Sequence, residues 1–253
     1  MVNNVRMGTC PVMEVRGVNF SYGKNQILRE LDLIIKEKSI TTIMGANGCG
    51  KSTLFSLMTK NLEPDSGRVF IRGRNLKNIS LKDFATKVAI VQQYNDAPGD
   101  ITVRQLVSFG RTPHITFLGE GEKEDEEKIA WAMEVTGISE YSEREISRLS
   151  GGQKQRLSIA RSLYNKPEIL IFDDSFSALD YRTDKILRKE LRERSKGSTS
   201  LIVAQRIGTI MEADLIIVLE EGRIVGQGKH KELLKSCPIY KEIAMSQLSE
   251  EEL

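Results

Sequence analysis

The chain carries only three cysteines, two histidines and a net charge of +2, and each scarcity excludes something. Cys10, Cys49 and Cys237 are scattered without disulfide or zinc spacing, which fits a reducing cytosol. His114 and His230 pair with neither a cysteine nor an acidic cluster, so no transition-metal site is expected. His114 reads as a solvated imidazole, and His230 as a local cap or solvent-facing group ahead of a helix. The near-neutral charge points to neither a nucleic-acid nor a membrane-surface partner. No apolar run approaches the ~18 residues of a membrane span, and residues 1–6 lack the apolar centre of a signal peptide. The expectation is a cytoplasmic protein whose membrane role comes through a partner. There is no internal repeat and no low-complexity linker. What remains is 253 residues, 40% hydrophobic and 28% charged, enough for one large domain or a core with an inserted subdomain.

Against this background one octet stands out: Gly45-Ala46-Asn47-Gly48-Cys49-Gly50-Lys51-Ser52, a G-x-x-x-x-G-K-[ST] loop. It follows a β-type apolar run, residues 40–44, and leads into a helix-like stretch beginning Ser52-Thr53. Strand, glycine loop and helix form the setting in which such a loop cradles a triphosphate. Glycines let backbone N–H groups converge on phosphate oxygens, and the helix N-terminus adds a favourable dipole. Lys51 is positioned to reach the β- and γ-phosphates, and the Ser52 hydroxyl to ligate magnesium. Residues 45–53 are thus the expected contacts of ATP. Cys49 is either a thiol activated by the loop's dipoles or a small filler of the turn.

Along the rest of the chain, residues 12–36 alternate apolar and polar around Tyr22-Gly23, predicting an antiparallel β region. A turn at 64–67 precedes a strand at 68–71, and residues 88–91 read as a buried strand ending at Gln92-Gln93. The period turns helical over about 101–147, with Val103, Leu106, Val107, Ile129, Ala132, Met133 and Val135 on the apolar stripe. The acidic run 120–128 inside it reads as a solvated loop and first helical turn. Another helix is predicted from Ser150 to Asn165, stopped before Pro167. Apolar strands follow at 169–172, 200–204 and 215–219. Helix-separated apolar strands predict an α/β fold, a mainly parallel buried sheet with helices on both faces.

Asp173 closes the strand 169–172, where a second acidic group meets a loop-bound magnesium nucleotide. Gln93, at another strand end, is placed to reach magnesium or the attacking water through its amide, although by spacing Gln92 competes for that role. Twenty residues before Asp173 stands Leu149-Ser150-Gly151-Gly152-Gln153. Ser150 can cap the following helix while the glycines admit a phosphate to the backbone. On these motifs the chain resembles the nucleotide-binding domain of ABC transporters, over nearly its whole length. The resemblance implies a P-loop NTPase with a RecA-like sheet core at 1–93 and 151–253 and an inserted helical subdomain at 94–150. It makes Ser150, Gly151, Gly152 and Gln153 the signature that contacts the γ-phosphate held by the opposite subunit. It makes Tyr22 the adenine-stacking aromatic, Gln93 the Q-loop glutamine and Ser177-Ala178-Leu179-Asp180 the D-loop at the dimer interface. The implied partners are a second ATP-binding subunit and transmembrane permease subunits. The implied place is the cytoplasmic face of the membrane, without nucleic acid.

Two positions depart from the family pattern. Asp174 stands where the family has the glutamate that polarises the attacking water, and Gln205 stands where it has the switch histidine. Losing one methylene withdraws the carboxylate by ~1.5 Å, and a misplacement near 1 Å can cost on the order of a hundredfold in rate. Gln205 can donate a hydrogen bond but brings no charge to a developing oxyanion. The pair predicts good ATP binding with slow hydrolysis. The resemblance is also split. Residues to about 150 look like ATPases of iron–siderophore, haem and cobalamin importers, whereas residues from about 167 look like the degenerate half of heterodimeric exporters. The expectation is iron-chelate import. The alternatives are a degenerate exporter half, or a chimeric domain that acts as an ATP-gated dimerisation module.

Overall fold

The computed structural model describes residues 11–91, 100–114, 122–173, 176, 179–194, 197–204 and 206–248. The alternating N-terminal stretch folds as a hairpin of β1 (Pro11–Tyr22) and β2 (Asn25–Lys36), turning at Gly23 in the left-handed region with φ 60°. Further along the chain come β3 (Ile40–Met44), α1 (Lys51–Met58), β4 (Ser66–Ile71) and β5 (Arg74–Asn75). The first sheet is antiparallel in the order β2-β1-β4-β5. After α2 (Leu81–Ala85) and β6 (Val88–Val91) lie α3 (Val103–Ser108), α4 (Glu122–Val135), α5 (Gly151–Leu163) and β7 (Ile169–Asp173). The chain continues through α6 (Tyr181–Arg194), β8 (Thr199–Val203), β9 (Leu215–Glu220) and β10 (Arg223–Gly228), then α7 (His230–Ser236) and α8 (Pro238–Gln247).

The second sheet runs β10-β9-β3-β8-β7-β6, parallel except for the edge strand β10. Its inner strands are nearly continuous apolar runs because both faces are covered. Successive side chains point to opposite faces, and that alternation divides the interior in two. Ile43, Ile169, Ile171, Leu201, Val203 and Ile217 pack against α1 and the antiparallel sheet. Met44, Leu170, Phe172, Ile202, Ile216 and Val218 pack on the other face, in the core that includes α3, α4, α5, α6 and α8. Among the described residues no helix is long and apolar enough to cross a membrane.

Between residues 94 and 150 the described chain holds α3, α4 and short 3-10 turns, with no strand beyond a bridge from Thr102 to Glu145. Every residue of the expected stripe, from Val103 to Val135, is buried. Helix α3 starts at a capping box in which Thr102 and Gln105 bond each other's backbone N–H. The acidic run, read as a solvated loop and first helical turn, opens α4 with Glu124, Glu126 and Glu127 exposed and one exception. Asp125 is buried, accepts 2.9 Å from Arg111 Nη1 and bonds the Tyr164 hydroxyl. That hydroxyl, with Arg111 second, holds the Asp125 carboxyl below its usual range. Gly110 permits the approach, since a Cβ there would lie 2.4 Å from the Arg161 carbonyl oxygen.

His230 also departs from its expected role. It opens α7 but is buried, with Nδ1 2.7 Å from the Tyr240 hydroxyl of α8. Burial lowers the imidazole pKa and raises that of the Tyr240 phenol to about 12. Helix periodicity gives no sign that α8 folds back over the start of α7, so the contact was illegible in the chain. Of the cysteines, Cys49 and Cys237 are free and buried. Cys10 and the His114 side chain lie outside the described residues.

Candidate nucleotide site

The site gathers at the C-terminal edge of the parallel strands. Val203 and Asp173 end β8 and β7, level in the register with Ile43, one residue before the end of β3. From β3 the chain departs to one face through α1, whereas α6, which follows β7, packs on the other. Such a reversal opens a crevice at the strand ends, the usual ligand position in sheets of this class.

The loop from Gly45 to Gly50 spans that crevice. Gly45 (φ 153°) leaves no room for a side chain, because a Cβ would lie 2.1 Å from the Leu219 carbonyl oxygen and 2.7 Å from Cys49 Sγ. Gly50 (φ 106°) is the left-handed N-cap of α1, and no side chain caps that helix. The first N–H groups of α1 therefore lack a side-chain acceptor, the state in which a helix N-terminus takes an anion. Lys51 is buried and folds back over the loop, donating from Nζ to the Gly45 and Ala46 carbonyl oxygens at 2.7 and 2.8 Å. Ala46, Asn47, Gly48 and Ser52 are exposed, whereas Cys49 and Thr53 are buried. Cys49 is packed inside the turn, with Sγ 3.8 Å from Lys51 Nζ.

A residue that sequence reasoning passed over braces the loop from behind. Gly222, in the β9–β10 turn, donates 3.0 Å to the Cys49 carbonyl, and its own carbonyl accepts 2.9 Å from the Arg29 N–H of β2. Its φ is 76°, and a Cβ there would lie 2.0 Å from the Ile27 carbonyl oxygen. The Glu221-Gly222 turn signal was visible in the chain, but not its position under the loop. Tyr22, at the end of β1, is 55% exposed and meets Phe20 edge to face at 4.9 Å. One face of its ring is thus available to a flat ligand.

Ser150 and Gln153 open α5 with a reciprocal capping box. Gln153 Oε1 accepts 2.8 Å from the Ser150 N–H, and Ser150 Oγ accepts 3.3 Å from the Gln153 N–H. Gly151 is exposed, with nothing within 4 Å of an added Cβ, and Gly152 follows in the same first turn. At Gly151 this end of α5 presents backbone open to solvent. Asp180 caps α6, its Oδ1 accepting 3.0 Å from the Thr183 N–H, and the Thr183 bonds hold its pKa down. Gln93, Asp174, Ser177, Ala178 and Gln205 lie outside the described residues.

The model of the family described as ABC transporter matches residues 28–177. An iron(3+)-hydroxamate import ATP-binding protein, FhuC of Bacillus subtilis, is 34% identical over 86% of this chain and 82% of its own length. A multidrug resistance ABC transporter ATP-binding and permease protein of Lactococcus lactis is 34% identical over 94% of this chain, which spans 40% of that protein. A bacterial Atm1-family ABC exporter, solved with ATP bound, superposes with a TM-score of 0.85 at 28% identity, covering 97% of this chain and 43% of that one.

Proposed function

The chain belongs to the ABC transporter family, and on that premise we propose that it is an ATP-binding subunit that couples binding and hydrolysis of Mg-ATP to transport of an iron chelate. The observation that carries the reading is the glycine-walled loop at an uncapped helix start, with a buried lysine beside it. Those features suit a triphosphate: backbone N–H groups for its oxygens, a fixed cation for its charge, and Tyr22 for a flat base. Residues 45–53 would hold the phosphates. Ser52, Asp173 and Gln93 would hold magnesium, which when bound offsets charge on the phosphate oxygens.

The outward signature end of α5 suits a head-to-tail dimer in which Ser150, Gly151, Gly152 and Gln153 of one subunit cover the nucleotide of the other, with Asp180 near the contact. Residues 94–150 would dock on membrane permease subunits, and the protein would sit on the cytoplasmic face. Asp174 as base and Gln205 as γ-phosphate partner would make turnover slow. Import is favoured because an iron(3+)-hydroxamate import ATP-binding protein is matched over 82% of its own length.

A second reading rests on the equally similar exporter relative and on the Asp174/Gln205 pair. In it the domain is a degenerate exporter half, or a chimera, whose output is ATP occupancy. Titration of the purified chain with ATP, with and without magnesium, tests the core of both. Saturable, magnesium-dependent binding is expected, and its absence overturns the assignment. Slow single-turnover hydrolysis that rises in Asp174→Glu with Gln205→His is expected, and hydrolysis at ordinary transporter rates in the native chain overturns the slow site.

A further inference from the structure

A cavity of about 770 Å³ lies between α6 and the helical side of the parallel sheet, and none of the residues assigned to ATP lines it. Its origin is the inward face of α6, which offers Asp184, Leu187, Arg188 and Leu191 in place of a continuous apolar stripe. Only Leu187 and Leu191 are buried apolar side chains on that helix among the described residues, too few to fill the space down to the strands. The floor is apolar at Ile40, Phe172 and Ile202, with Phe176 on the wall. A large cavity with apolar walls forgoes dispersion contacts unless something occupies it. Its volume falls within the range of about 300–1,000 Å³ typical of small-molecule sites.

The polar groups of the cavity point to the kind of occupant. Arg188, with its side chain 19% exposed, donates from Nε to Asp184 at 2.6 Å and stacks 3.8 Å over the Phe176 ring. Its two terminal nitrogens have no hydrogen-bond partner among the described residues, leaving a planar pair of donors of the type that grips an acid group. On the floor the Thr42 hydroxyl is buried without a hydrogen-bond partner. At the mouth, Lys38, Lys185 and Lys189 are exposed, with no carboxylate within ion-pair distance among the described residues. Of the acids there, Glu212 is paired with Arg192, and Asp214 accepts from the Ile40 N–H but keeps its charge, which leaves Glu193 and Asp214 against three lysines.

We propose that this cavity binds an amphipathic anion. Its acidic head meets the Arg188 terminal nitrogens and the lysine rim, and its aliphatic body lies along Ile40, Phe172 and Ile202. The site is independent of the ATP assignment, and neither depends on the other.

Fluorescence titration of the full chain with dansyl-undecanoic acid, and with its methyl ester, tests the proposal. One-to-one saturable binding of the acid is expected, with the ester weaker. Ile202→Trp should abolish it by filling the floor. Lys185→Glu with Lys189→Glu, both exposed and away from the core, should weaken the acid about tenfold through lost charge-assisted contacts and leave the ester nearly unchanged. ATP binding and the thermal midpoint serve as fold controls, and the lysine variants keep the test decisive if Ile202→Trp does not fold. No saturable binding to the native chain, or binding indifferent to the lysine reversals, overturns the proposal. Equal affinity for acid and ester would instead mark a neutral apolar ligand.

Discussion

The starts of α1 and α5 are both built on glycines, yet they solve opposite problems. At α1 the glycines sit in left-handed or otherwise side-chain-intolerant backbone, and no side chain caps the helix. At α5 the Ser150–Gln153 box satisfies the helix internally, and Gly151 faces open space. On the proposed function the first start keeps its backbone donors for a nucleotide, and the second, already capped, offers its bare backbone to a facing subunit. A shared residue type therefore says little until φ and neighbours are known.

Substitutions that break this contrast should differ widely in effect. Gly45→Ala forces a Cβ onto the Leu219 carbonyl, so a stability loss on the order of 2–4 kcal/mol is expected in chemical denaturation, together with loss of ATP binding. Lys51→Ala keeps the fold but removes the buried cation. Equilibrium titration should show ATP affinity lowered on the order of a hundredfold, as loss of a charge-assisted contact implies. Nucleotide binding left intact by Lys51→Ala would place the phosphates elsewhere. At α5, Ser150→Ala should cost about 1 kcal/mol through the lost cap, whereas Gly151→Ala should stay within about 0.5 kcal/mol. If the α5 start serves a facing subunit, Gly151→Ala should spare ATP binding by the isolated chain and reduce turnover only under dimer-forming conditions.

The start of α6 sharpens the comparison further, because its cap is a charged group. The Thr183 bonds lower the Asp180 pKa below its unfolded value of 3.8. The cap's contribution is thus complete above that value and is lost as pH falls through the lower folded pKa. Hydrogen exchange at the α6 N-terminus should quicken over that acidic interval in the native chain and show a flatter response in Asp180→Asn. This is the smallest of the expected effects, since Asp180 is exposed.

Much of the site was legible before any fold was known. The loop at 45–52, the strand leading into it and Asp173 at another strand end are local signals, carried by residue type and spacing. Strand cores were legible too, since a run such as Ile169–Phe172 has no polar face to offer water. The Asp125–Tyr164 contact, the His230–Tyr240 pair and the brace from Gly222 to Cys49 were not legible. Each joins residues whose separation in the chain carries no periodic signal.

The chain alone therefore determined the glycine loop between its strand and helix, the apolar strands such as 169–172 and 215–219 and the helical period over 101–165, because backbone preference and hydrophobic period act over a few neighbouring residues. Only the tertiary structure decided which glycines are irreplaceable, which charges are buried and where a cavity opens beneath α6. Those properties depend on what lies across from a residue, and that is settled when distant elements pack together.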